Sequence, residues 1–455
     1  MLNRSMVRIS RMKKRTRRFL IAIAILAALA GWWWLGRPQE MRLVSVRPLA
    51  LPFFNPYFRA NTDYLLASSS YSNRSLMALR WDGTVRWHIV PPEPVLPATC
   101  ADYSRKSDYS ISPSGRFYTA LIVSGNSQRV MLWDEGRLVG SVSLPLTTKM
   151  RKGKPKPDTV LAQTTTLDNG QVFCRIRNAP GGDILLIEKG KIRAQGKLPV
   201  PPTAKYGIDS WQILPDGRAL IAAPPGAFAY YRIMITGNAL GFTPVYTAKD
   251  KSYFPFITHD GFLVTDSGAV YDEHGRISGS TGWHLLIHPF YNTLTSRHSA
   301  VLQVQSMDIG FIPFHFNGIR VLDPRTGEAW RPSKRVTYQF CQSTFDGRYL
   351  LAIETPADLP KTILYWLWDK RLIPDKLYDR KDRVRLYIYR KPGRLCASLP
   401  IVEDSGDFSI RNPRTGQWLG VWPLSLSEDG HTVRCLCYDS NDSNSHYYIL
   451  TYKWR

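Results

Sequence analysis

From Met41 onward the chain alternates apolar and polar positions in short runs broken by glycine-bearing turns. The first run, Met41 to Leu51 (MRLVSVRPLAL), has the period of two that sets alternate side chains on opposite faces of a strand. One kind of turn then recurs ahead of β-branched or aromatic residues. It occurs in SPSGRFYTALIV (Ser112 to Val123), LDNGQVFCRI (Leu167 to Ile176) and LPDGRALIAA (Leu214 to Ala223). It returns in THDGFLVT (Thr258 to Thr265), TFDGRYLLAI (Thr344 to Ile353) and SEDGHTVRCLC (Ser427 to Cys437). Asp-Gly and Asn-Gly supply the positive backbone torsion of a tight turn, and strand formers follow them.

A second kind of turn, short and mostly with Gly, follows a run that ends in an aromatic or apolar residue, mostly with Asp or Asn, and leads into another strand. Its members are LRWDGTVRWHIV (Leu79 to Val90), MLWDEGRLVGSV (Met131 to Val142), LLIEKGKIRAQG (Leu185 to Gly196) and RIMITGNALGF (Arg232 to Phe242). The later ones are AVYDEHGRISGS (Ala269 to Ser280), RVLDPRTGEAW (Arg320 to Trp330), YWLWDKRLI (Tyr365 to Ile373) and IRNPRTGQWLGVW (Ile410 to Trp422). Their mean spacing is about 47 residues, the period of four-stranded propeller blades. Stacking such sheets in a ring buries both faces of each and leaves only short edges. The pattern therefore predicts an all-β fold, a seven- or eight-bladed β-propeller. Ring closure is expected where Met41 to Leu51 meets the last run, HYYILTYKW (His446 to Trp454).

The trailing tryptophans carry a resemblance. Asp323-Pro324-Arg325-Thr326-Gly327-Glu328-Ala329-Trp330, Asn412-Pro413-Arg414-Thr415-Gly416-Gln417-Trp418 and Trp81-Asp82-Gly83-Thr84-Val85-Arg86-Trp87 share turn residues and a closing Trp. In this the chain resembles the WD-repeat-like and quinoprotein-like β-propellers.

One stretch breaks the alternation. Phe19 to Gly36 (FLIAIAILAALAGWWWLG) carries no charge, and eight basic residues and no acid precede it. As a helix it rises about 27 Å, close to the hydrocarbon thickness of a bilayer. Residues 1–18 are expected to be a basic cytoplasmic tail, 19–36 an uncleaved transmembrane signal anchor, and 37–455 an extracytoplasmic propeller. Trp32, Trp33 and Trp34 are expected at the far membrane interface. The competing reading is a cleaved signal peptide, for which Ala28-Leu29-Ala30 offers the small-x-small form. Both readings put the body outside the cytoplasm, in the periplasm or at the cell surface.

The formal net charge is +24, and the tail's eight cations leave most of it on the body. Outside the cytoplasm, such a surface favours lipid headgroups, acidic polymers or acidic proteins over nucleic acid. The basic run Thr148 to Lys156 is the candidate contact, through Lys149, Arg151, Lys152, Lys154 and Lys156. Asp369 to Arg394 reads as a second basic loop, and Pro91 to Thr99 and Leu198 to Thr203 as proline-rich connectors. Six cysteines permit disulfides without assigning them. Cys435 and Cys437, two apart in a strand-like run, share a face and are not expected to bond each other.

Two Asp-Ser-Gly triplets, at Asp266 and Asp404, have the form of paired aspartic-protease loops, but Asp, Ser and Gly also make ordinary turns. His284 and His288 have a helical metal spacing inside a run that reads as a strand. Nucleophile-elbow, phosphate-loop, dinucleotide and His-Glu-x-x-His motifs do not occur. No catalytic residue, metal ligand or cofactor is assigned. The expected function is a membrane-anchored, non-catalytic platform for a protein or envelope polymer. The alternative is a propeller enzyme with a central-channel site, a quinoprotein-like dehydrogenase, lyase or hydrolase.

Overall fold

The computed structural model describes residues 38–52, 56–60, 63–69, 75–90, 109–124, 127–145, 147–151, 154–158, 163–176, 183–198, 210–214, 216–223, 228–248, 256–265, 268–276, 284–285, 299–305, 318–333, 336–354, 371–372, 382–404, 407–412, 415–439 and 446–455. All regular elements among them are strands. The expected membrane segment, with Trp32, Trp33 and Trp34, lies outside the described residues, as do Cys100 and Lys152.

Strands β1 (Gln39–Glu40) and β2 (Arg42–Leu49) open the chain, and consecutive antiparallel units follow. The first unit holds β3 (Pro56–Ala60), β4 (Tyr64–Ser69), β5 (Leu76–Arg80) and β6 (Val85–Ile89). The second holds β7 (Tyr109–Ile111), β8 (Phe117–Ser124), β9 (Ser127–Asp134) and β10 (Arg137–Pro145). A separate two-stranded ribbon, β11 (Thr147–Arg151) and β12 (Lys154–Asp158), comes next. The third unit is β13 (Gln163–Thr166), β14 (Val172–Ile176), β15 (Asp183–Glu188) and β16 (Lys191–Lys197). The fourth is β17 (Ser210–Ile213), β18 (Ala219–Ala223), β19 (Phe228–Thr236) and β20 (Ala239–Ala248). The fifth has β21 (Phe256–Ile257), β22 (Leu263–Val264) and β23 (Val270–Tyr271). The sixth has β24 (His284–Leu285), β25 (Val301–Gln305), β26 (Gly318–Leu322) and β27 (Ala329–Trp330). The seventh has β28 (Val336–Ser343), β29 (Tyr349–Glu354), β30 (Asp382–Arg390) and β31 (Arg394–Asp404). Strand β32 (Asp407–Arg411) bridges to the closing unit, β33 (Trp418–Leu426), β34 (Thr432–Tyr438) and β35 (Tyr447–Lys453).

The N-terminal strand completes that last unit. β2 pairs antiparallel with β35, from Arg42 opposite Lys453 to Leu49 opposite Tyr447. The expected closure by the two ends of the chain is thus observed.

Period-two alternation buries both faces of a unit. On β8, Tyr118, Ala120 and Ile122 pack with Tyr64, Leu66 and Trp87 of the first unit. The alternate residues Phe117 and Leu121 pack with Val172, Cys174 and Leu185 of the third. The same arrangement runs round the chain. The last link is a cluster in which Leu436 and Ile449 of the closing unit meet Leu65, Leu79 and Trp81 of the first. Sheets in strand order, apolar on both faces and closed last to first, are a β-propeller.

The Asp-Gly signals became the turns between first and second strands. Asp216, Asp346 and Asp429 each accept the backbone N–H two residues on, at 3.0, 2.9 and 2.9 Å. Gly430 has φ +71, and a Cβ there would fall on the Tyr349 ring of the preceding unit. Only glycine satisfies both conditions.

One expectation needs correction. Asp369 to Arg394 is not one basic loop, because β30 occupies Asp382–Arg390 and turns at Lys391 to Gly393 into β31. Val384, Leu386 and Ile388 face one cluster while Tyr387 and Tyr389 face another. The arginines between them hid a strand buried on both faces. The proposed hairpin at Tyr365 to Ile373 lies outside the described residues except for Arg371 and Leu372.

Cys174, Cys341, Cys396, Cys435 and Cys437 carry thiols. Cys435 and Cys437 share one core cluster, as their spacing required. Burial raises the Cys174 thiol pKa to about 12 and pushes those of Cys341, Cys435 and Cys437 up as well. The thiolate is the reactive form. Burial also raises the Cys396 thiol, but that side chain is only partly buried, so at pH 8 iodoacetamide is expected to modify Cys396 and spare the four buried thiols until guanidinium is added, read by peptide mass spectrometry. Equal labelling of all five in native buffer would contradict this packing.

Candidate functional site

Each unit has two ends. The turns between first and second strands and between third and fourth strands gather at one, here the tip end. Connections from one unit to the next leave from the other.

The ribbon β11–β12 follows β10, which runs away from the tip end, so it stands at the opposite end. It joins no other sheet. Its register sets Lys149 opposite Lys156 and Arg151 opposite Lys154. Pro155 and Pro157 cannot donate to a further strand, which suits an isolated ribbon. Four of the five sequence candidates are thus gathered on one two-stranded ribbon, and a loop reading is replaced by a strand pair. Two-residue alternation of basic residues was the signal.

A site that sequence spacing does not reveal lies at the tip end, across the seam where the ring closes. This cleft has a volume of about 720 Å³ and takes Arg47 from β2, Arg434 from β34 and Lys453 from β35. Asp63, Arg80, Asp82 and Arg86 come from the first unit, and Glu135 from the second. The Arg47 guanidinium donates to the Asp82 carbonyl at 2.9 Å, directly across the seam. The Asp82 carboxylate accepts from the Thr84 hydroxyl at 2.6 Å and the Thr84 N–H at 2.8 Å, which hold its pKa below the usual carboxylate range. Arg86 forms an ion pair with Glu135 at 2.6 Å. Burial lowers the Arg434 pKa, with Asp429 and Asp63 opposing it. The lining is cationic on balance, so the cleft suits a small anionic group.

The other sequence candidates resolve as structure. Around the first Asp-Ser-Gly, the Thr265 N–H donates to the Ala269 carbonyl and the Gly268 N–H to the Thr265 carbonyl, both at 2.9 Å, while Asp266 and Ser267 themselves lie outside the described residues. The second joins β31 to β32, with Asp404 opposite Asp407. His284 lies on β24 opposite Val304, so the helical spacing to His288, itself outside the described residues, does not apply.

Two of the three trailing tryptophans dock on the next unit. The Trp87 indole N–H donates to the Gly115 carbonyl at 3.0 Å, and that of Trp330 to the Gly347 carbonyl at 3.0 Å. Trp418 does not follow them and is 44% exposed.

No family model and no curated protein matches the chain. Among solved structures it is similar to the WD40 domain of SCAP from fission yeast, at 10% identity over 91% of this chain and 97% of that one, with a TM-score of 0.45. It is also similar to the β-propeller domain of Cps50 (Swd1) from Myceliophteria thermophila, at 10% identity, 91% and 100% coverage and a TM-score of 0.38. A third is dihydro-heme d1 dehydrogenase NirN in complex with DHE, at 13% identity, 94% and 84% coverage and a TM-score of 0.41. The fold assignment rests on the sheet order and ring closure of this chain itself. In architecture it is a β-propeller, as the WD-repeat-like and quinoprotein-like resemblance of its repeats implied.

Proposed function

We propose that this chain is a membrane-anchored β-propeller that serves as a non-catalytic binding platform for an anionic extracytoplasmic partner. We further infer eight blades: the closing unit follows seven others, and eight apolar clusters link consecutive units. Residues 19–36 are the tether, which raises the local concentration of the platform at the membrane. The ribbon β11–β12 carries the reading, because its register sets four basic residues at paired positions of one element that joins no other sheet.

The test is reversal of Lys149, Arg151, Lys154 and Lys156 to glutamate in the full chain, followed by brief cross-linking in native membranes and mass spectrometry. One partner at comparable abundance is expected with the native chain. It is lost from the variant and falls as salt rises, since exposed charges are screened beyond about 10 Å at 0.1 M salt. Recovery unchanged by reversal and by salt would end this reading and move the weight to an enzyme with a channel site.

A further inference from the structure

We propose that the tip-end corner formed by the closing unit and the first four units rests on an anionic lipid surface. The inference deepens the membrane-anchor reading above and rests on it.

The first observation is where the chain joins the ring. β1 pairs parallel with β31, Gln39 opposite Ala397, close to the tip where β31 begins. Parallel pairing means that the chain enters β1, through Pro38, from the tip side. The apolar run finishes at Gly36, so only Arg37 and Pro38 separate it from β1. Two residues span at most about 7 Å. On the anchor reading, the membrane segment therefore meets the body at the tip end, where the seventh unit adjoins the closing unit.

The second observation is what the corner exposes. Val44 at the start of β2, Val85 at the start of β6, and Leu138 and Val139 on β10 are 46–58% exposed. Ile192 on β16, and Met234 and Ile235 at the end of β19, are 47–50% exposed. All seven lie within a few residues of the turn between the third and fourth strands, or of the matching end of β2. Single exposed aliphatic residues are ordinary, but a row on one corner is not. The described tips of the fifth to seventh units are polar instead, as in Asp272 to Arg276, Asp323 to Glu328 and Lys391 to Gly393.

The third observation is that neighbouring tips are joined. Arg47 bonds Asp82 from the closing unit to the first, and Arg86 pairs with Glu135 from the first to the second. Gly140 and Gly190 approach so closely that a Cβ on either would meet the other's backbone. The Gln195 N–H donates to the Asn238 carbonyl at 3.0 Å where β16 and β20 pair in parallel. The tips that carry these aliphatic side chains are therefore held to one another.

The fourth observation is charge. Exposed Arg42, Arg80, Arg137, Lys189, Lys191 and Arg193 are interleaved with that row. Aliphatic side chains flanked by cations are the composition that binds the boundary between headgroups and acyl chains. The cationic seam cleft opens on the same corner, so it faces headgroups.

The full chain, with Cys100→Ser and Cys396→Ser, is reconstituted into phosphatidylcholine vesicles containing about one third phosphatidylglycerol. An environment-sensitive dye is placed at Leu138→Cys, Ile235→Cys or Val90→Cys. Val90 is 60% exposed at the opposite end of β6 and serves as the reference. Vesicle flotation reads the anchor, and quenching by lipids carrying a nitroxide on the acyl chain reads the corner. The expected result is flotation of all three, with dyes at 138 and 235 quenched about threefold more than at 90, and less so in neutral vesicles. Flotation with equal quenching at all three positions overturns the docked corner and leaves the anchor standing. A chain that does not float overturns the anchor, and the docked corner with it.

Discussion

Replacing Trp330 by alanine is expected to lower the unfolding free energy by about 3–5 kcal/mol. The indole is 7% exposed and packs among Leu302, Val321, Leu350 and Tyr389, which belong to two neighbouring units. Alanine leaves a cavity between two sheets that are each held by their own ladders and so close up poorly. It also leaves the Gly347 carbonyl without the indole N–H that reaches it at 3.0 Å. Phenylalanine separates the two losses. It keeps most of the apolar volume and removes only the donor, so its cost is expected near 1–2 kcal/mol, about that of one unmet buried hydrogen bond. Trp87 docks on Gly115 in the same way and is expected to behave alike, whereas Trp418→Ala, on an exposed side chain, is expected within about 0.5 kcal/mol of the native chain. Urea unfolding followed by far-ultraviolet circular dichroism reads all four. A Trp418→Ala cost equal to that of Trp330→Ala would mean that docking across the sheets is not what these residues do.

These tryptophans also mark how far sequence reasoning reaches. The shared Pro-Arg-Thr-Gly and trailing Trp placed Trp330 and Trp418 together, yet of the two only Trp330 follows a turn between the last two strands of a unit. Trp418 begins β33, a strand that leaves β32 and then becomes the first strand of the closing unit. Local spacing cannot distinguish these cases, because docking depends on which sheet comes next. The turns were legible for the opposite reason. A tight turn is decided by a few adjacent residues, and Asp-Gly at Gly347 or Gly430 leaves the backbone few alternatives. β30 was hidden by its exposed arginines, although its aliphatic and tyrosine positions alternate. The seam cleft and the aliphatic corner had no signal in any single stretch. Arg47, Asp82, Arg434 and Lys453 line one cleft only because the ring closes, and the tips that carry Leu138 and Ile192 touch only where Gly140 meets Gly190.

Ring closure carries the second large expected effect. A chain beginning at residue 38 is expected to fold, and one beginning at residue 51, lacking β1 and β2, is expected to aggregate or to lose its cooperative unfolding transition. β2 supplies the outer partner of β35 along its whole length, from Lys453 to Tyr447. Each ladder hydrogen bond contributes about 1 kcal/mol, and the lost strand also strips Leu49 from the cluster that joins the closing unit to the first. Met41 leaves the neighbouring cluster at the same time. The sum is comparable with the whole stability of a typical domain, about 5–15 kcal/mol. Removal also bares the edge of β35, and an unpaired edge is a template for pairing with another copy. Size-exclusion chromatography and thermal unfolding of the two truncations distinguish loss of the membrane segment from loss of the strand. A peptide of residues 38–51 added during refolding is expected to restore the compact form of the shorter chain, because β2 belongs to the closing sheet by pairing rather than by its neighbours in sequence. Identical elution and melting of the two truncations would show that the ring is not held by its first strand.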